Sequence, residues 1–387
     1  MPIVQREWRS LIEPILRENA TDAPAVVELM LREARRQRAS DIHWRPENDA
    51  VYMHWRIDGV LQEIDRFTPE LGPRVVARLK VLSQLLTYQT EVPQEGRIRE
   101  MPGLPETRVS TFPTLYGEKA VIRLFAGENS YHRLGDLGWP DEITSRVSGW
   151  LDQTGGAIIL TGPAGSGKST SLYACLRELV DRSQGGRNLT TLEDPVEVVI
   201  PGVTQSQVNS HAGFSLVTGL RSLLRQDPDV IAVGEIRDHE TAMTAYQAAL
   251  SGHLMLTTFH AGRCSRAVAR LVDLGLEPYV LKSGTLGVVC QRLARKLCGC
   301  RSSLASSENC ERCRGIGYQG RLLLAEFMDL DQAEIGQAVM QRADAAQLEQ
   351  VARSSGLISL ESRAAEAVRL GLTSPEEIYR ILGWSVS

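Results

Sequence analysis

The chain has 387 residues, 43% of them hydrophobic, the composition of an ordinary globular protein long enough for two to three domains with their own cores. Its 43 basic and 47 acidic residues leave a net charge of -4, so no overall positive field gathers DNA or RNA, and nucleic acid is not expected as a partner. No stretch reaches the roughly 18 to 20 consecutive apolar residues that span a bilayer, and the opening MPIVQREWRSLIEPILRE lacks the apolar core of a signal peptide, so the chain is expected in the cytoplasm. Its seven cysteines, an odd number, then read as reduced thiols or metal ligands rather than disulfides.

In chain order, residues 1–24 form an N-terminal arm, the first twenty of which show too little apolar area for an amphipathic membrane anchor. A small α/β domain follows over 25–127. It opens with AVVELMLREARRQR, which places Val26, Val27, Leu29, Met30 and Ala34 on one face of a surface helix. Residues 51–57 alternate as a strand does, Asp58-Gly59 signals a hairpin, and residues 60–64 return as its partner. Residues 128–140, ENSYHRLGDLGWP, suit a linker. Over 141–290 come two units in which an apolar strand runs through a turn into a helix, the pattern of a parallel sheet covered on both faces. Residues 291–387 read as helical around a cysteine-rich knot, and no fixed-period repeat or low-complexity tract is present.

The strongest chemical signal is Gly162, Pro163, Ala164, Gly165, Ser166, Gly167, Lys168, Ser169 and Thr170, preceded by the apolar run of residues 157–161 and followed by a helical stretch from Ser171. Glycines let such a loop turn its N–H groups onto phosphate oxygens, and the helix adds its positive N-terminal end. Lys168 then neutralises β/γ-phosphate charge and Ser169 shares Mg²⁺ with the nucleotide, which makes ATP and Mg²⁺ the expected cofactors. A second strand, 229–233, ends at Gly234-Glu235, where a P-loop ATPase places the acid that organises magnesium and water, so Glu235 is a second magnesium candidate. Between them lie Glu193, Asp194, Pro195, Val196 and Glu197, three acids around a proline. Such a run is more often a solvated loop; its place between two nucleotide motifs favours a functional reading.

These motifs, together with Ser40-Asp41-Ile42-His43, Arg56-Ile57-Asp58-Gly59, Gly96-Arg97, Arg108-Val109-Ser110-Thr111, Gly117-Glu118-Lys119, residues 224–229, residues 234–238 and residues 252–260, resemble the secretion ATPases that drive type II secretion, type IV pilus assembly and DNA-uptake pseudopili. The resemblance runs from about residue 25 to the C-terminus. It implies an α/β fold: a small PAS-like domain followed by a RecA-like P-loop ATPase domain with a helical, cysteine-containing C-terminal region. It implies that Glu197 polarises the attacking water, that Glu193 helps hold the site, and that Glu235 serves magnesium. His253 and His260 are implied to sense the γ-phosphate. Arg97, Arg108 and Arg123 are implied to reach phosphate across a domain or subunit boundary, a task suited to a permanently charged planar fork. The implied assembly is a hexameric ring acting on an inner-membrane platform protein, with peripheral membrane association through partners. The sequence begins some twenty residues before the conserved region, so a short form of the family, or docking through another surface, is expected. Whether the machine secretes protein, extends a pilus or takes up DNA is left open.

Cys298, Cys300, Cys310 and Cys313 give Cys-x-Cys, a nine-residue gap and Cys-x-x-Cys, where the family typically carries two Cys-x-x-Cys pairs. Four thiolates suit tetrahedral Zn²⁺ in a bracing role, with reduced metal-free thiols as the alternative. Cys175, Cys264 and Cys290 read as small core residues. Two other classes of function remain: a scaffold or regulatory subunit with weak turnover, and a DNA-translocating ring ATPase. The presence of Lys168, Glu197 and Glu235 opposes the first; the acidic balance and 5% aromatic content oppose the second.

Overall fold

The structure is a computed structural model describing residues 3–98, 107–124, 133–209, 212–301 and 310–383. The chain divides into two compact units, Met1–Asn129 with Arg295–Arg321, and Ser130–Ala294 with Leu322–Ser387.

In the first unit, helices α1 (Ile3–Glu18) and α2 (Ala23–Arg36) precede a six-stranded sheet. Of the residues expected as an arm, Ile3–Glu18 are thus helical, with Val4, Trp8 and Ile12 on a buried face. Asp22 caps α2 by accepting the Ala25 N–H, and the predicted stripe Val26, Val27, Leu29, Met30 and Ala34 is buried. The strands are β1 (Ala39–Pro46), β2 (Val51–Ile57), β3 (Val60–Phe67), β4 (Gln94–Ile98), β5 (Thr107–Thr114) and β6 (Gly117–Leu124), with helix α3 (Leu71–Leu82) between β3 and β4. Their spatial order is β3-β2-β1-β6-β5-β4. Asp58 and Gly59, both at positive φ, make the tight turn between β2 and β3, as Asp-Gly predicts. One sheet face packs on the helices. The other is polar, and its register lines up Arg97, Arg108, Arg123, Asp41 and Arg56 across five strands.

The second unit is built on the other sheet. Of the expected linker, residues 128–132 lie outside the described residues, and the remainder packs into the core through Leu134, Leu137 and Trp139. Helix α4 (Asp141–Leu151) leads to β7 (Gly156–Thr161), α5 (Lys168–Ser183), β8 (Leu189–Glu193), β9 (Thr204–Gln207), α6 (Leu216–Leu223), β10 (Val230–Val233), α7 (His239–Leu250) and β11 (Leu254–Phe259). Every residue of β7, β8, β10 and β11 is buried, the mark of parallel strands covered on both faces. Two apolar clusters lie on the two sides of this sheet.

After α8 (Cys264–Asp273) and α9 (Pro278–Gly284), the chain enters two long strands, β12 (Thr285–Leu297) and β13 (Tyr318–Asp329). The sequence reading of a helical knot from residue 291 missed both, because their buried halves lack period-two alternation and their ends are charged. They complete the sheet order β13-β12-β7-β11-β10-β8-β9. Helices α10 (Ala333–Met340), α11 (Ala345–Ser354), α12 (Leu360–Arg369) and α13 (Pro375–Leu382) close the chain and pack against one face.

Candidate nucleotide site and metal centre

Parallel strands put their carboxyl ends on one edge of the sheet, where an α/β fold gathers its ligand-binding loops. β7, β8, β10 and β11 deliver the P-loop, Glu193, Glu235 and His260 to that edge. In the P-loop, Gly162, Gly165 and Gly167 all take positive φ, a conformation that suits glycine. A Cβ at Gly162 would meet Ser166 Oγ at 2.4 Å and the Gln291 carbonyl oxygen at 2.6 Å, so backbone must pass closely there. Gly167 stands at the N-cap of α5, and Lys168, Ser169 and Thr170 form its first turn. Lys168 Nζ donates to the carbonyl oxygens of Gly162 (3.0 Å) and Pro163 (2.9 Å), and burial lowers its pKa. Ser166 Oγ is buried with no hydrogen-bond partner among the described residues.

The acidic box divides into two environments. Glu193 is buried: Oε1 accepts from Thr191 Oγ1 (2.6 Å) and Gln205 Nε2 (3.0 Å), and Oε2 accepts from Tyr173 Oη (2.5 Å). Glu197 is exposed, and its backbone N–H donates to Tyr173 Oη at 3.3 Å. One phenol therefore spans the two glutamates. Burial, then the charge of Glu193 beside it, pushes the Tyr173 pKa far up, so the hydroxyl stays a donor. The sequence reading overlooked Tyr173; its signal was a tyrosine on a buried helix face, where the hydroxyl needs a partner.

Glu235 follows β10 and pairs with His260 Nε2 (2.9 Å) and with Arg237. Thr161, the last residue of β7, ties this loop to the P-loop strand: its Oγ1 accepts the Ala261 N–H at 3.0 Å. His253 stands elsewhere. It precedes β11, whose first residue pairs with Gly156 and Val230 at the strand beginnings, so about six residues at about 3.3 Å each part it from His260. Its Nδ1 lies 3.0 Å from the Ala248 carbonyl oxygen. The fold brings His260, and not His253, to the sheet edge that carries the P-loop and Glu235.

The three arginines lie on the polar sheet face of the first unit. Arg108 pairs with Glu95, and Arg123 Nε donates to Asp41 Oδ1 at 3.1 Å. Arg97 stands opposite Arg108 in the β4–β5 register.

The Sγ atoms of Cys298, Cys300, Cys310 and Cys313 all lie within 4.8 Å of one another, although the first pair has the shortened Cys-x-Cys spacing. The Gly317 N–H donates to Cys313 Sγ at 3.2 Å, the kind of second contact that stabilises a thiolate. Soft donors, their number and their convergence fit Zn²⁺. Cys175, Cys264 and Cys290 are buried in the second unit as expected, and burial raises all three pKa values, to about 12 for Cys175 and Cys290.

Comparisons with known proteins agree with this geometry. The family model described as Type II/IV secretion system protein matches residues 18–380. Type II secretion system protein HxcR of Pseudomonas aeruginosa is 40% identical over 93% of this chain and 77% of its own length. Type II secretion system protein E of Aeromonas hydrophila is 38% identical over 93% and 76%. The type IV pilus assembly ATPase PilB of Thermus thermophilus is 36% identical over 92% of this chain and 42% of its own. Among solved structures, the pilus retraction motor PilT with bound ADP superposes with a TM-score of 0.63 at 26% identity, covering 92% of this chain and 96% of that one. The Legionella pneumophila ATPase DotB gives 0.71 at 22% identity over 93% and 96%, a likeness of fold. With a P-loop on a RecA-like sheet and a family match over most of its length, the chain belongs to the Type II/IV secretion system protein family.

Proposed function

We propose that this protein is a cytoplasmic ATPase motor that powers assembly of a pseudopilus or type IV pilus in type II secretion or a related system. What carries the reading is the convergence of P-loop, Glu193, Glu235 and His260 on one sheet edge of a chain related to secretion and pilus-assembly ATPases.

In this reading the P-loop N–H groups and Lys168 hold the β- and γ-phosphates, and Ser169 and Glu235 are the groups that would hold Mg²⁺, which supplies charge neutralisation when bound. Glu197, exposed beside the buried Glu193, is the general base for water; Glu193 and Tyr173 fix its loop. His260, which pairs with Glu235, senses the γ-phosphate, and that contact supports the reading. Arg97, Arg108 and Arg123 supply the remaining phosphate-binding cations, and the tetracysteine cluster holds one structural Zn²⁺. The working form is a homo-hexamer that reaches the inner membrane peripherally, through a platform protein. No described helix is long and apolar enough to cross a membrane. The division into an arginine-donating region (25–127), a nucleotide-binding core (141–290) and a C-terminal region (291–387) belongs to the same proposal.

Complementation tests it against a scaffold role. In a host lacking the gene, Lys168→Ala is expected to abolish secretion or pilus assembly at normal protein level. Full activity from that variant would establish a scaffold.

A further inference from the structure

We propose that Gln291, on β12, is a positioning residue that aims the Gly167 N–H of the P-loop at the nucleotide's β-phosphate. The inference rests on reading residues 162–170 as a phosphate cradle.

Gln291 is fully buried, and both ends of its amide are engaged. Nε2 donates to the Ser166 carbonyl oxygen at 3.0 Å, and Oε1 accepts from Ser171 Oγ at 3.1 Å. A carbonyl oxygen only accepts, so the NH₂ group must face Ser166. The Ser166 carbonyl and the Gly167 N–H belong to one planar trans peptide, in which C=O and N–H point in opposite directions. Holding the carbonyl toward β12 therefore turns the N–H away from β12.

That peptide needs holding, because Gly167 sits at φ +91°, where glycine alone moves freely. The anchor itself is fixed. A Cβ on Gly167 would lie 3.1 Å from Gln291 Nε2, so loop and amide are already in close approach. The Gln291 carbonyl oxygen accepts from Arg292 Nη1 (3.0 Å), while Arg292 Nη2 donates to the Gly262 carbonyl oxygen (2.8 Å) in the loop that follows His260. Glutamine suits the position because it offers one donor and one acceptor on a neutral planar end. Glutamate would lose the donor and bury a charge; methionine would fill the space and lose both bonds.

P-loop N–H groups meet the α/β-phosphates, which ATP and ADP share. Loss of Gln291 should thus weaken both nucleotides alike. Full-length wild type, Gln291→Met, Ser171→Ala, the double variant and Lys168→Ala are titrated with fluorescent ADP and ATP analogues, with thermal unfolding followed in the same buffer. For folded Gln291→Met the Kd of both nucleotides is expected to rise about tenfold, with kcat at saturating ATP falling less than about threefold. Ser171→Ala is expected to shift both in the same direction by less, and the double variant by less than the product of the two. Unchanged Kd values in folded Gln291→Met overturn the proposal; should that variant not fold, unchanged values in Ser171→Ala do so. Wild-type affinity in Lys168→Ala overturns the phosphate-cradle reading itself, whereas weak binding there beside normal binding in Gln291→Met overturns only the role of Gln291.

Discussion

Tyr173 shows how much one hydroxyl can hold. It donates to buried Glu193 and receives the N–H of Glu197, so it fixes both the glutamate that shapes the acidic box and the loop bearing the proposed base. Tyr173→Phe leaves Glu193 Oε2 without that donor inside the protein, at a cost of about 1 to 3 kcal/mol. The expected outcome is a lower urea midpoint at unchanged m-value, with kcat reduced more than KM because the loop loses its aim. An unchanged midpoint would show that Glu193 does not depend on the phenol. None of this was legible in the sequence, where the acids formed a visible run but their split into buried and exposed members depended on Thr191, Gln205 and Tyr173. The histidines teach the reverse: His253 and His260 share one motif, yet a strand of fixed rise sets them at opposite sheet edges.

Among the elements, those with strong local chemistry were readable: α2 from its apolar stripe, the β2–β3 hairpin from Asp-Gly, and β7 with α5 from the P-loop between them. β12 was not, because its identity as a strand comes from pairing with β7 at long range. That pairing has a steric signature. A Cβ at Gly287 would lie 2.0 Å from the Trp150 ring on α4, so only glycine lets β12 seat against this helix. Gly287→Ala forces strand and helix apart and is expected to destabilise the second unit by about 1 to 3 kcal/mol, read as a fall in the thermal midpoint. No fall would mean that the strand and Trp150 do not pack this tightly.

At the scale of the whole molecule, the chain forms two compact units and carries one tetracysteine cluster. The cluster segment belongs to the first unit, where the Gly320 N–H donates to Asp58 in the β2–β3 turn at 3.1 Å. In the proposed reading a metal held there would brace the fold rather than catalyse. Elemental analysis is expected to give one zinc per chain, lost in Cys313→Ser, and chelation is expected to lower the first unfolding transition while ADP still binds the second unit. A metal-free protein of equal stability would assign the cysteines to reduced thiols.

Whether Glu197 activates the attacking water of a P-loop motor is read from steady-state Mg-ATP hydrolysis of wild type beside Glu197→Gln, with oligomeric state followed in the same buffer. Measurable turnover from a ring of six subunits is expected, with a loss of about a hundredfold or more in the variant, the size of a missing general base. Equal turnover in the two proteins, or an assembled wild type that hydrolyses nothing, would contradict it.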